Sequence, residues 1–336
     1  MNLIVDKIAS SLKVAGYPHP EIVRSAPVTT VADNFDRLYF PEDCLSRHPK
    51  YTRYLSEDKL LRTHTTCLIP QILPQFKQKS VHQLLMLPGI CYRRDVVDRR
   101  HVGEPHQMDI WMISNTQQLN RQDILQLIQI ILNAVLPGWK YRLNETTHPY
   151  TVRGLEIEVK QGDHWIEIGE CGEAHPQLFV DSGLEGYSGL ASGFGLDRLA
   201  MLVKGMDDIR LLRNSHPEIS RQMLTLDTYH PVSNQPSICR DMSIVVRNGI
   251  ELEDICEVIV AALAHDAELL ESVEIKSETA YEQLPIAVIQ RLEMQPGQKN
   301  LLVRMALRSL HSSITNQHAN QLREKVFQAL DSTLRT

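Results

Sequence analysis

Two alternating segments, Leu155 to Val159 and Trp165 to Ile168, flank Gln161-Gly162-Asp163, and this pairing narrows the fold more than any other feature of the chain. A short glycine-bearing turn between alternating runs closes a β-hairpin. A further run, His106 to Ile113, puts Gln107, Asp109 and Trp111 on one face and Met108, Ile110 and Met112 on the other. Strands that arrive as hairpins build an antiparallel sheet, which excludes the parallel sheet of a dinucleotide-binding domain.

Helices are expected beside this sheet. Asn120 caps a buried helix running to Leu136, with Asp123 at its third position. Near the start, Ile4, Ile8 and Leu12 recur at helical spacing beside Asp6 and Lys7, the pattern of an amphipathic helix and not of a signal peptide. The longest apolar stretch, Ile124 to Leu136, is interrupted by Gln126, Gln129 and Asn133. It is too short and too polar to span a bilayer, so no membrane partner is expected.

With 336 residues the chain has room for two cores. Pro217, Pro231 and Pro236 mark a linker over residues 217–236, between a domain at 1–216 and another at 237–336. The second reads as a strand at Ser243 to Val246, a helix around Leu252 to Leu263, strands at Val273 to Ile275 and Leu301 to Leu307, and a helix from Asn316 to Leu330. That order resembles the split β-α-β pattern of a ferredoxin-like α/β sandwich. Six cysteines occur without a CxxC pair, which points to reduced thiols and a cytoplasmic location. The net charge of -6 gives no support to nucleic-acid binding, which draws on local positive charge.

Three segments carry possible chemistry. Cys91-Tyr92-Arg93-Arg94-Asp95 ends a strand, a basic loop with Arg99, Arg100 and His101 follows, and the chain returns at His106-Gln107. Such a strand, loop and strand can hold a planar guanidinium over a phosphate; a solvated charged hairpin is the plainer alternative. In Gly189-Leu190-Ala191-Ser192-Gly193-Phe194-Gly195, a glycine-rich strand lets another group approach the backbone, and Arg198 follows in the first helical turn. This is neither a dinucleotide fingerprint nor a Walker loop. Leu61 to Thr66 collects hydroxyls around His64, suited to an amino acid's amino and carboxylate groups.

In order and spacing these segments, with Asn34-Phe35-Asp36, Cys171-Gly172, His175-Pro176 and the closing Asp208-Ile209-Arg210, closely resemble the catalytic domain of phenylalanyl-tRNA synthetases, including the single-chain organellar type. The resemblance runs from about residue 25 to 213. It implies an α+β fold: the class II synthetase antiparallel sheet flanked by helices, followed by the ferredoxin-like anticodon-binding domain. It also implies ATP, Mg2+, an amino acid and tRNA as ligands, and a ligase that forms an aminoacyl-adenylate and passes the acyl group to tRNA. By resemblance, Arg93 bridges the α-phosphate and the amino acid carboxylate, Asp95 and His101 lie near adenine and the outer phosphates, and Arg198 meets the γ-phosphate. Glu156 and Glu167 match acidic positions for magnesium. His64, Thr66, Gln107 and Asp109 stand where the family binds the substrate's polar ends, Asp109 replacing a glutamate. Arg240, Arg304 and Arg308 are the candidates for tRNA contact. A monomer is implied, the N-terminal helix being the element that could pair two copies.

The departures fall on one predicted pocket. His148-Pro149-Tyr150 replaces the family's Phe-Pro-Phe signature, Ser192 follows Ala191 where an aromatic residue is usual, and Glu170 and Glu173 stand at small and apolar positions. A buried polar group without a partner costs about 1–3 kcal/mol, a poor wall for an unsubstituted ring. The expected substrate is therefore an amino acid more polar than phenylalanine. Two other readings compete: an activating enzyme that donates to a non-tRNA acceptor, and a catalytically silent RNA-binding paralogue.

Overall fold

The computed structural model describes residues 1–93, 102–232, 235–309 and 312–335. By contact the chain forms two compact units. The first takes the elements up to Asp207 together with Gln222–Thr228; the second takes Asp208–Arg221 and the chain from Tyr229 onward.

The first unit is built on a seven-stranded sheet. Its strands are β1 (Glu21–Ile22), β2 (His82–Ile90), β3 (His106–Ser114), β4 (Tyr141–Glu145), β5 (Thr151–Gln161), β6 (His164–Ala174) and β7 (Ser188–Gly195), in the spatial order β1-β2-β3-β7-β6-β5-β4. Every pairing is antiparallel except that of β1 with β2 at one edge, so the expected antiparallel sheet is in fact mixed. Strand β1 is two exposed residues long and leaves no alternation to read.

The hairpin forms as its turn demands. Gln161 pairs with His164, and Gly162 takes φ +57°, a conformation that needs no Cβ. Helix α1 (Asn2–Val14) buries Ile4, Val5, Ile8 and Leu12 and packs on α2 (Arg121–Val135), which lies on β6 and β7. Both halves of the α2 capping box are present: Asn120 Oδ1 accepts from Gln122 N–H at 2.8 Å, and Asp123 accepts from Asn120 N–H at 2.8 Å. Strand β7 runs straight into α3 (Leu196–Val203). Beyond α3, the buried Lys204 ammonium donates to the carbonyls of Gln222, Thr225 and Asp227 at 2.8–3.1 Å, fastening that returning stretch.

The proline-rich stretch is not bare linker. Pro217 begins helix α4 (Pro217–Gln222), because proline is welcome in a first turn, where its missing N–H is not needed. The second unit then has β8 (Ile238–Arg247), α5 (Leu252–Leu263), β9 (Leu270–Ala280), α6 (Ile286–Leu292), β10 (Gln298–Leu307) and α7 (Asn316–Leu334). Its antiparallel sheet runs β8-β10-β9, and α5 and α7 cover one face over a core of Ile244, Val246, Ile259, Leu301, Val303, Leu322 and Val326. That is the ferredoxin-like order with three strands among the described residues, each longer than its sequence signal. Helix α6 was not signalled in the sequence: none of its residues is fully buried.

Candidate active site

Strand register assembles the site. Leu87 on β2, Asp109 on β3, Gly193 on β7, Glu170 on β6 and Glu156 on β5 form one row across the sheet, so their side chains share a face. Two residues along, Leu85, Trp111, Ala191 and Gly172 form a parallel row. In the other direction Gln107 pairs with Gly195. Strand β3 thus presents Gln107, Asp109 and Trp111 in succession on that face.

At the Gln107 end sit the cations. Arg93 donates Nε–H to the Thr63 carbonyl at 2.8 Å and reaches the Gln107 amide oxygen at 3.4 Å. Arg198, in the first turn of α3, donates to the Glu167 carbonyl at 2.5 Å, with its guanidinium 3.9 Å from the Glu167 carboxylate. Neighbouring Asp197 is buried and accepts from the His106 backbone N–H, which ties α3 to the start of β3 and sets where Arg198 emerges. Burial raises the Glu167 carboxyl above its ordinary value; Arg198 and Arg93 oppose the rise, and the charges of Glu156 and Glu170 add to it. Two guanidinium groups more than a hundred residues apart in sequence thus stand at the same end of this face, Arg93 at Gln107 and Arg198 against Gly195, the register partner of Gln107.

Glu156 and Glu167 supply hard oxygen donors on that face, and the like-charge crowding between them is what a divalent cation would relieve. The donor set fits magnesium, which takes one or two carboxylates and completes its shell with water and phosphate oxygens. Among the described residues no cluster of three or more acidic, histidine or cysteine side chains forms a closed metal cage.

In the middle lies Asp109, buried, accepting from Thr65 Oγ1 at 3.0 Å and from the Thr66 hydroxyl. Burial raises its pKa to about 6 against the lowering effect of the two hydroxyls. His64 stacks on Phe40 at 5.3 Å, and among the described residues neither of its ring nitrogens makes a well-formed hydrogen bond. Burial, then the charge of Arg93, holds its pKa down to about 4, so the ring is neutral near pH 7. The loop carrying these groups is held from below, where the Asn34 side chain bonds both the Thr63 hydroxyl at 2.8 Å and the Thr63 N–H at 3.1 Å.

At the Trp111 end the pocket is aromatic and acidic together. Trp111 stacks on Tyr150 at 6.3 Å, and Tyr150 on His148 at 6.3 Å. Glu170 accepts from Tyr150 OH at 3.0 Å through Oε1 and meets His148 Nε2 at 2.5 Å through Oε2. Burial pushes its carboxyl up, but the hydrogen bond and charge of His148, the Tyr150 hydroxyl and Arg93 outweigh it, and the net shift is downward.

Most of the expected pocket residues thus meet on one face: His64, Thr66, Gln107, Asp109, His148, Tyr150, Glu170 and Ala191. Two do not. Ser192 stands opposite Ile110 and Cys171 and turns its hydroxyl to the Ile110 carbonyl at 3.3 Å, on the reverse of the sheet. Glu173 stands opposite Leu190 in the reverse-face row and pairs with Arg153. Strand alternation is the reason in both cases, since each is an odd number of residues from a pocket-facing neighbour. Asp95 and His101 lie outside the described residues. Trp111 and Phe40 were missed as wall residues. The alternation of Gln107, Asp109 and Trp111 held the signal for the first; nothing local marked the second.

In the second unit, Arg304 forms a two-pronged pair with Asp241, at 2.7 Å on each side, and Arg308 pairs with Glu271. Arg240 bonds Asn316, Asn320 and a backbone carbonyl, with no acidic partner among the described residues.

A sheet of this connectivity, with two arginines over one face and an acidic row beside them, defines a class II aminoacyl-tRNA synthetase fold, the class of the ATP-dependent aminoacyl-tRNA ligases. Residues 1–223 match the family model of the tRNA synthetase class II core domain (F), and the chain belongs to this phenylalanyl-tRNA synthetase family. It is 26% identical over 314 residues to a chloroplastic/mitochondrial phenylalanine–tRNA ligase of Arabidopsis thaliana, covering 90% of this chain and 68% of that one. It is 30% identical over 224 residues to a phenylalanine–tRNA ligase alpha subunit of Nostoc sp., covering 66% of each. A mitochondrial phenylalanine–tRNA ligase of Dictyostelium discoideum is 29% identical over 60% of this chain, and only 50% of that protein's length is spanned. Among solved structures, pyrrolysyl-tRNA synthetase from Desulfitobacterium hafniense shares the fold, with a TM-score of 0.51 at 17% identity over 63% of this chain and 72% of that one. No described helix is long and apolar enough to cross a membrane.

Proposed function

We propose that the chain activates an amino acid with ATP and transfers it to tRNA. The observation that carries this is the meeting of two cations at one end of a sheet face: Arg93 reaches Gln107, and Gly195, the register partner of Gln107, lies against Arg198. The substrate carboxylate attacks the α-phosphate in line and expels pyrophosphate; a terminal ribose hydroxyl of tRNA then attacks the acyl carbon and expels AMP. Neither step needs a side-chain nucleophile. Arg93 binds the carboxylate and α-phosphate, Arg198 the outer phosphates, and their fixed positive charge stabilises the charge that spreads in the transition state. Glu156 and Glu167 would hold magnesium, which would supply further charge neutralisation on the phosphates. Gln107, Asp109, Thr66 and His64 orient the substrate's polar ends.

The amino acid is more polar than phenylalanine. Glu170 lies in the same row as Asp109, so a hydrocarbon ring bound over that row would cover a carboxylate whose proton affinity is already lowered. Arg240, with no acidic partner among the described residues, is the strongest of the three arginines for tRNA contact, and Arg304 and Arg308, each already paired, are weaker. We take the catalytic domain as residues 1–216 and the anticodon-type domain as 237–336, working as a monomer in the cytoplasm. Incubating purified chain with ATP, mixed amino acids and total tRNA tests the reaction. Acylated tRNA is expected; adenylate without it would mean a different acceptor, and no adenylate would mean a silent paralogue.

A further inference from the structure

We infer that the pocket takes a diamino acid, an α-amino acid with a second amino group on an unbranched side chain, of the lysine and ornithine class, held at its two ends by Asp109 and Glu170. This rests on the activation reading above and names the substrate within it.

The geometry is that of two acids flanking a bare floor. Asp109 and Glu170 are register partners of the same residue, Gly193, one from each side. A Cβ placed on Gly193 would stand 3.3 Å from Asp109 Oδ1 and 3.9 Å from Glu170 Cγ, so both acids lean over this glycine. A ligand lying across Gly193 has a carboxylate at either end, and no side chain obstructs it from below.

Both acids keep acceptor capacity. Glu170 takes one donor on each oxygen, Tyr150 and His148, and a carboxylate has about four lone-pair sites. Its side chain is 39% exposed although it stands in the middle of the sheet, so it is open to an incoming ligand. Asp109 likewise takes one hydroxyl on each oxygen. Two carboxylates this close are poorly matched to a substrate with one ammonium group. A substrate with two would neutralise both.

The remaining walls suit such a chain. Tyr150, backed by the fully buried Trp111, offers a ring that accepts methylene groups and attracts a nearby cation. Among the described residues neither ring nitrogen of His64 makes a well-formed hydrogen bond, and the ring lies within reach of the Glu170 charge. A neutral imidazole offers a lone pair to the α-ammonium. Other classes fit worse: acidic side chains are repelled, and an unsubstituted ring leaves Glu170 charged beneath hydrocarbon.

The test is ATP–pyrophosphate exchange by the purified full chain with the twenty common amino acids, ornithine and 2,4-diaminobutyrate. One of lysine, ornithine and 2,4-diaminobutyrate should give the highest kcat/KM, and acetylating its side-chain amine should lower that value on the order of 10²-fold. Glu170→Gln should cause a loss of similar size, mainly through KM, while exchange with norleucine holds or rises. The acetylated substrate needs no variant, so poor folding of Glu170→Gln would not obscure the result. Exchange with phenylalanine, alanine or another neutral amino acid but with no diamino acid would overturn this inference and leave the activation reading standing. No exchange with any of them would overturn both.

Discussion

Along strand β3 the two ends of one face are organised differently. At the Gln107 end, Arg93 and Arg198 are anchored by backbone carbonyls, at Thr63 and Glu167, and share the nearby charge of Glu167. At the Trp111 end, the charge of Glu170 is already shared with His148 and Tyr150. The first arrangement waits for a highly charged ligand and depends little on its neighbours. The second is a coupled set in which one replacement disturbs three groups.

The difference can be broken most directly at the cations. Arg93→Ala should lower kcat/KM for pyrophosphate exchange by roughly 10³-fold, with lysine a poor replacement because it cannot reach two acceptors in a plane. Arg198→Ala should cost about 10²-fold, chiefly in the KM for ATP. A loss below tenfold for both would remove the basis for the reaction assigned here.

Asp109, between the two ends, should show itself in pH dependence. Its carboxylate must be ionised to accept an ammonium group, and its pKa is about 6, so kcat/KM should fall as pH drops through 6. Stability should move the other way. A folded-state value raised above the ordinary one near 4 means that folding favours the protonated form. That contribution is complete below pH 4 and is lost as pH rises through 6. Asp109→Asn should therefore raise Tm at pH 7.5 by roughly 4–8 °C while abolishing most activity, and should change little at pH 4.

Tyr150→Phe sharpens the comparison at the other end. It removes one of the two donors on Glu170 and should shift selectivity between substrates by roughly tenfold, with the KM for ATP unchanged. Smallest is Arg240→Ala, which should raise the KM for tRNA about threefold to tenfold and leave pyrophosphate exchange untouched. Arg304→Ala, whose partner is Asp241, should do less than Arg240→Ala.

Much of this was legible in the chain. Ile4, Ile8 and Leu12, the Asn120 cap, the Gly162 turn and the passage from Gly195 into α3 each state their structure locally, through periodicity or backbone freedom. The parity of Ser192 and Glu173 was open to the same reasoning, since each lies one or three residues from a pocket-facing neighbour. The grip of His148 and Tyr150 on Glu170 was not. It accompanies a register shift between Val152 and Leu155, where β5 slips against β6, and Gly154 hints at that shift locally without saying which residues it brings together. The pairing of Arg304 with Asp241 was hidden similarly, because 63 residues separate them and only the β8–β10 register brings them together.

The stacking of Trp111 on Tyr150 gives the chain an optical reporter of its own. Only three tryptophans are present: Trp139 and Trp165 keep partial contact with solvent, whereas Trp111 is wholly enclosed in the pocket wall. Blue-shifted emission should therefore come mainly from Trp111, and any molecule that settles against Tyr150 should alter its intensity. Occupancy of the side-chain end can then be titrated by intrinsic fluorescence, separately from turnover and without a label.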